Sequence, residues 1–207
     1  MLIRRPARGF SLIEIAVVLA VMAMLLALGL PAMGEFLQNS QIRSGAEAAV
    51  QGLQTARSEA VRRNIPVRFQ LVTTLDATCE LSASGPHWVV SRNDPTGACD
   101  QAEVIDFLEP NDTAVPQIVQ KRSNDDGSPN AVYSGLDGGA AANSIVFTTL
   151  GRMLAGTGLD TIDVSNPAGA CLHTGGTLRC LRVVVSTGGD VRLCDPSVTT
   201  AGDTRRC

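Results

Sequence analysis

The sequence predicts an α+β protein in which one long N-terminal α-helix packs on an antiparallel, β-sandwich-like domain. Three observations predict it. A nearly unbroken apolar run fills residues 10–30 and passes into a helical repeat that stops before Pro66. Beyond Pro66 come short β-branched segments, separated by clusters of Gly, Pro, Asn and Asp. All six cysteines of the 207-residue chain lie after the apolar run, which fits disulfides made in an oxidising compartment.

Residues 1–9 carry Arg4, Arg5 and Arg8, and the apolar run from Phe10 to Leu30 follows at once. As helix the run is about 31 Å long, enough to cross a bilayer. Arginines ahead of it favour a cytoplasmic N-terminus, with the body of the chain on the far side. The run is longer than the core of a secretory signal and ends without a clear A-x-A cleavage site, so it is expected to remain on the mature protein. Glu14 is the odd residue within it. A carboxylate costs roughly 2.5–3.5 kcal/mol at a bilayer centre on insertion scales, and less near the edge. Such a residue calls for a partner.

Residues 31–64 read as the amphipathic half of the same helix. Ile42, Ala46, Ala49, Leu53, Ala56 and Ala60 recur at four- and three-residue steps, forming one narrow apolar stripe. Asn64 and Pro66 supply the stop, and Gly29, Pro31 and Gly34 mark where the helix loosens. Residues 66–207 form the β domain. VRFQLV, HWVVS, EVIDFL, SIVFTTLG, LDTIDV, LRCLRVVVS and DVRLC are the strand candidates, and seven to nine strands are expected. SNDDGSPN and LDGGAAAN read as turns. With 44% apolar but only 3% aromatic residues, the core is built from Val, Leu, Ile and Ala.

Net charge is −3, and setting aside the three leading arginines leaves 14 basic against 20 acidic residues, or −6. A surface of that sign has no general attraction for nucleic acid or anionic lipid. Chain neighbours suggest the pairs Cys79–Cys99, Cys171–Cys180 and Cys194–Cys207, among fifteen pairings that six cysteines allow. No CxxC pair or Cys/His cluster at finger spacing is present, so neither metal nor cofactor is expected. Only His87 and His173 offer histidine bases, and no hydrolase, zincin or phosphate-loop motif occurs. Asp125-Asp126-Gly127 lacks the alternating ligands of a calcium loop and reads as a turn. Gly188-Gly189 reads as a hairpin turn and Trp88 as core. No enzyme is expected.

The stretch RGFSLIEIAVVLAVMAMLLALGLP resembles the N-terminus of type IV pilin-like proteins, a class III signal sequence. The resemblance implies that a prepilin peptidase cuts after Gly9 on the cytoplasmic side and that the new N-terminal residue, Phe10, is N-methylated. Residues 1–9 are then the leader and 10–30 the transmembrane half of the helix. Glu14 falls where these proteins carry a glutamate, and Pro31 where many carry a proline that kinks the helix. In a filament, Glu14 of one subunit would neutralise the N-terminal amine of a neighbour, turning two charges costly in lipid into a pair. LQTARSEAVRRNIPV, IVFTTLGR and VRLCDP are similar to the GspH/FimT family.

That resemblance implies a minor pilin, a subunit for type IV pilus assembly or initiation. The alternative is pseudopilin H of a type II secretion system. Either is anchored in the bacterial inner membrane with a periplasmic C-terminal domain, and its partners are other minor and major pilins, or pseudopilins, besides the prepilin peptidase. A further alternative is a DNA receptor for natural transformation, associated in some FimT proteins with a C-terminal GRxR motif. Here the aligned residues are Gly189-Asp190-Val191-Arg192, with aspartate at the first arginine position. Arg179, Arg182, Arg192, Arg205 and Arg206 are the candidate DNA contacts. Against Asp190, Asp195 and Asp203 they leave a small positive excess. Phosphate affinity scales with neutralised charge, so a solvated rim is the favoured reading.

Overall fold

A computed structural model describes residues 10–104, 116–156 and 158–207, with side chains at 28–32 set aside. Gly9, Arg4, Arg5, Arg8 and Ile105–Leu108 of the expected EVIDFL strand lie outside the described residues; Glu103 and Val104 of that segment are not strand. Helix α1 is Leu12–Arg63. Ten strands follow among the described residues: β1 Val67–Val72, β2 Ser84–Gly85, β3 His87–Ser91, β4 Ile118–Arg122, β5 Val132–Asp137, β6 Ala140–Ala141, β7 Ser144–Phe147, β8 Thr161–Ser165, β9 Leu181–Val185 and β10 Val191–Cys194. Residues 1–37 and 38–207 are two separate compact units, and each is described by itself.

In the second unit, α1 ends as its sequence requires. Asn64 takes the left-handed conformation at φ 55°. Its N–H donates to Val61 O, and the Ile65 N–H reaches back to Ala60 O. These two bonds are the Schellman arrangement, and they satisfy carbonyls that the helix end leaves open. Val67 then begins β1 directly.

Two antiparallel sheets form, β4-β3-β1-β7 and β10-β9-β8-β5-β2, with β6 paired to β5. The apolar stripe of α1 lies in the main core: Ile42, Ala46, Ala49, Leu53, Ala56 and Ala60 are all fully buried, together with Phe69, Trp88, Tyr133, Ile162 and Val183 from both sheets. Small residues let the helix come close. A Cβ on Gly52 would lie 2.7 Å from Trp88 Cη2, and one on Gly45 would lie 2.8 Å from Ala131 Cβ. The Phe69 and Trp88 rings meet with centroids 5.3 Å apart and planes tilted by 32°, within the separation at which aromatic pairs attract. The Tyr133 hydroxyl donates to Gly45 O at 3.2 Å, so its one polar group is satisfied in the core.

A smaller cluster of Val72, Val89, Ile118, Cys79 and Cys99 covers the other face of the first sheet. Cys79–Cys99, Cys171–Cys180 and Cys194–Cys207 are the three disulfides, each between chain neighbours. The Lys121 ammonium donates to the carbonyls of Cys99, Asp100 and Gln101 at 2.9, 3.1 and 2.9 Å, holding the first disulfide loop against β4. Strands β4 and β5 are absent from the segments the sequence proposes. The polar half of IVQKR hides the first, because β4 is a sheet edge with Ile118 buried and the other four residues half-buried. VYSGLD looks like turn, yet Gly135 is buried where a Cβ would press on Leu159.

Candidate functional site

In the first unit the described apolar side chains are exposed on every side. Leu12, Ile13, Ile15, Val18, Met22 and Leu26 range from 46% to 89% exposed, and Phe10 is 80% exposed. A helix apolar all round is stable only against lipid or other helices. Among the described residues no helix is long and apolar enough to cross a membrane. Of the expected span 10–30, side chains are described only from Phe10 to Ala27, and Ser11 and Glu14 interrupt the apolar run there. Pro31 lies within α1, but its side chain is outside the described residues, as is Gly9.

Glu14 stands in the first turn of α1. Its carboxylate accepts from the Ser11 N–H at a long 3.5 Å, and the Ile15 N–H donates to Ser11 O. This is the reach-back half of a capping box, with Ser at the cap and Glu three residues on. The signal was present in the sequence as S-x-x-E. A negative charge here also complements the positive end of the helix dipole. Glu14 therefore has a local role within its own chain. The exposed side chain leaves the carboxylate open to a second group.

In the second unit, strands β8 to β10 and the tail that follows gather the five candidate arginines. Arg182 lies opposite Asp163 in the β8–β9 register and holds it with two bonds, Nε–Oδ1 at 2.6 Å and Nη2–Oδ2 at 2.8 Å. Hydrogen bonding to that carboxylate pushes the guanidinium pKa up. Arg179 pairs with the buried Asp195 at 2.9 Å, and Arg205 forks onto Asp203 at 3.1 and 2.8 Å. Those hydrogen bonds hold the Asp203 carboxyl down at about 2. Among the described residues, Arg192 and Arg206 meet no carboxylate; Arg192 Nη1 donates to Arg206 O at 3.5 Å. Asp190 sits in the hairpin turn outside β10, with its N–H on Ser186 Oγ. Three of the five arginines thus spend their charge on the chain's own carboxylates, which leaves little for phosphate.

The remaining sequence candidates sit apart from both regions. Trp88 is fully buried. Asp125, Asp126 and Gly127 form a turn, as do Gly188 and Gly189. Burial lowers the His87 pKa, against the opposing charges of Asp125 and Asp126. Among the described residues no three His, Cys, Asp or Glu side chains come together as metal ligands.

Comparison with known proteins gives two family matches along the chain. Residues 4–30 match the prokaryotic N-terminal methylation motif. Residues 45–189 match the family described as type II transport protein GspH. No curated protein matches. Two crystal structures of the Pseudomonas aeruginosa type IV minor pilin FimU are similar. The first has 21% identity and a TM-score of 0.46, covering 80% of this chain and 97% of that one. The second has 20% identity and a TM-score of 0.41, covering 77% and 97%. With the methylation motif ahead of a GspH match that spans most of the β domain, the chain belongs to the GspH family of type IV pilin-like proteins.

Proposed function

We propose that the chain is a minor pilin that joins other pilins through its N-terminal helix to initiate or build a type IV pilus. The observation that carries this reading is the all-round exposure of the described apolar side chains in the first-unit part of α1. Residues 1–9 are a leader removed after Gly9 by prepilin peptidase, Phe10 becomes a methylated N-terminus, and residues 10–30 hold the subunit in the inner membrane. The β domain, residues 66–207, then stands in the periplasm, where its disulfides persist. On assembly the apolar helices bury one another, and Glu14 meets the amine at Phe10 of a neighbour. A pair of this kind removes two separate charges from hydrocarbon. Pro31 provides a flexible point between the two halves of the helix. The role is structural rather than catalytic.

Pseudopilin H of a type II secretion system is the second reading, favoured by the description of the matching family model. DNA uptake receives less support, because Arg179, Arg182 and Arg205 are engaged by Asp195, Asp163 and Asp203. Mass spectrometry of sheared surface filaments beside the residual membranes tests the choice. The expected result is a peptide beginning at methylated Phe10 in the filaments, scarce beside a major pilin. The processed form confined to membranes would favour the secretion pseudopilus. A chain still carrying residues 1–9 in assembled filaments would overturn the processing scheme.

A further inference from the structure

Among the described residues, the outer edges of the two sheets are β4, β7, β10 and, beside β5, the two-residue strands β2 and β6; β4 and β7 are covered. On β4 the Val104 N–H donates to Ile118 O, and Glu103 Oε1 accepts from the Lys121 N–H. On β7 the N–H groups of Leu154 and Leu159 donate to Val146 O and Ser144 O. Strands β2 and β6 are only two residues long, too short to offer a ladder to another chain.

Strand β10 differs. Its register sets Arg192 against Val184 and Cys194 against Arg182. The hairpin bond from the Ser186 N–H to Asp190 O fixes the phase of the ladder, since hydrogen-bonded pairs alternate in antiparallel strands. Arg192 and Cys194 therefore bond to β9, and the N–H and C=O groups of Val191 and Leu193 point outward. On the other side of β9 the Val185 N–H donates to Asp160 O, which is the same phase. Among the described residues, the backbone bond on the outer edge is made at Asp195, whose N–H donates to Arg205 O. There the tail begins a parallel pairing, Asp195 with Arg206, and goes no further.

An unpaired edge is a template for another strand, and charge decides which strand. Arg192 stands at the middle of this one and Arg206 beside it, both exposed and without a carboxylate. A second copy added antiparallel about Arg192 would set that guanidinium against its own twin, a like-charge contact that disfavours self-pairing. We propose that the outer edge of β10 is a docking strand for an extended segment of another protein that carries carboxylates facing Arg192 and Arg206. Backbone groups of Val191 and Leu193 supply the added ladder, and the arginines select an acidic partner. The inference stands on the edge itself and is independent of whether the filament is a pilus or a pseudopilus.

Amide hydrogen exchange, read by NMR on the full chain in detergent micelles, tests it with a synthetic peptide. The probe is acetylated, amidated Thr-Asp-Val-Thr-Val-Asp-Thr, whose aspartates share one strand face, beside its twin with lysines in place of aspartates. The aspartate peptide is expected to slow exchange at Val191 and Leu193 by at least about tenfold, and the lysine peptide to leave it unchanged. R192E is expected to reverse that preference. V191P deletes one outward N–H but leaves the bonds of Arg192 and Cys194 to β9, and it should abolish protection at Leu193. Unchanged protection of β8 in both variants reports that they are folded. No slowing with either peptide, or slowing that survives R192E and V191P, would overturn the proposal. So would slowing of the same amides by a short DNA duplex and not by the aspartate peptide.

Discussion

Gly52→Ala tests how closely α1 approaches the first sheet. The added Cβ would stand 2.7 and 2.8 Å from Trp88 Cη2 and Cζ3, and 2.9 Å from Phe69 Cε2. Carbon atoms prefer about 3.5–4.0 Å, so the rings or the helix must give by roughly 1 Å. Neither ring has room, because both are fully buried. Overpacking of this kind costs about 1–3 kcal/mol. Against it stands the helix propensity of alanine over glycine, a gain of roughly 1 kcal/mol. The expected balance is a loss of about 1 kcal/mol, or a Tm lower by about 2–4 °C for a chain of this size. Thermal unfolding of the full chain in detergent, followed by circular dichroism without reductant, reads it. Trp88→Phe shortens the side chain at the point of collision, so G52A should cost less in that background. A G52A variant with raised Tm would refute the close contact, for it would mean that the glycine behaves as an exposed one.

The other predictions address the disulfides, the histidine and the tail. Replacing Cys79 and Cys99 by alanine opens a bond separated by 20 residues, and is expected to cost roughly 3 kcal/mol in urea unfolding. Because burial lowers the His87 pKa in the folded chain, the neutral imidazole is the folded form. Its contribution is complete above the unfolded value near about 6.5 and is lost as pH falls through the lower folded value. The urea midpoint should therefore drop on acidification through that window, and H87N should flatten the drop. For Asp203 the folded carboxyl lies at about 2 against an ordinary 3.8, so the pairing with Arg205 persists above 3.8 and is lost as pH falls toward about 2. Carboxyl NMR titration reads this directly. Tyr133→Phe removes the donor to Gly45 O and should cost about 1 kcal/mol.

Local signals carried most of the fold. The alanine stripe of α1, the stop at Asn64 and the strands β1, β3, β7, β8, β9 and β10 follow from periodicity and turn residues, because in those segments one face is apolar and the ends are marked. Strands β4 and β5 escape the same reasoning for tertiary reasons. Lys121 belongs to β4, yet its ammonium is consumed by three carbonyls of a distant loop. Gly135 belongs to β5 because a neighbouring leucine fills the space where its side chain would be. The helix glycines carry the same lesson: Gly45 and Gly52 read as weak points in a helix until the residues opposite them are known. At the N-terminus, Glu14 was legible as an anomaly, while its capping contact needed only the serine three residues before it. The arginine count near the C-terminus was legible too. Which arginines were already paired was not, since Asp163 and Arg182 meet only through strand register.

The three disulfides span 20, 9 and 13 residues along the chain, and their intervals neither overlap nor nest. Each bond can close once its own second cysteine has emerged, with no need to wait for a partner made later. A chain delivered N-terminus first therefore meets its correct partners in order, and at each stage a single unpaired thiol is left waiting. Mispairing arises only where one bond is still open when the next cysteine emerges. Such a protein has little need of disulfide reshuffling, and an oxidant alone is expected to complete it.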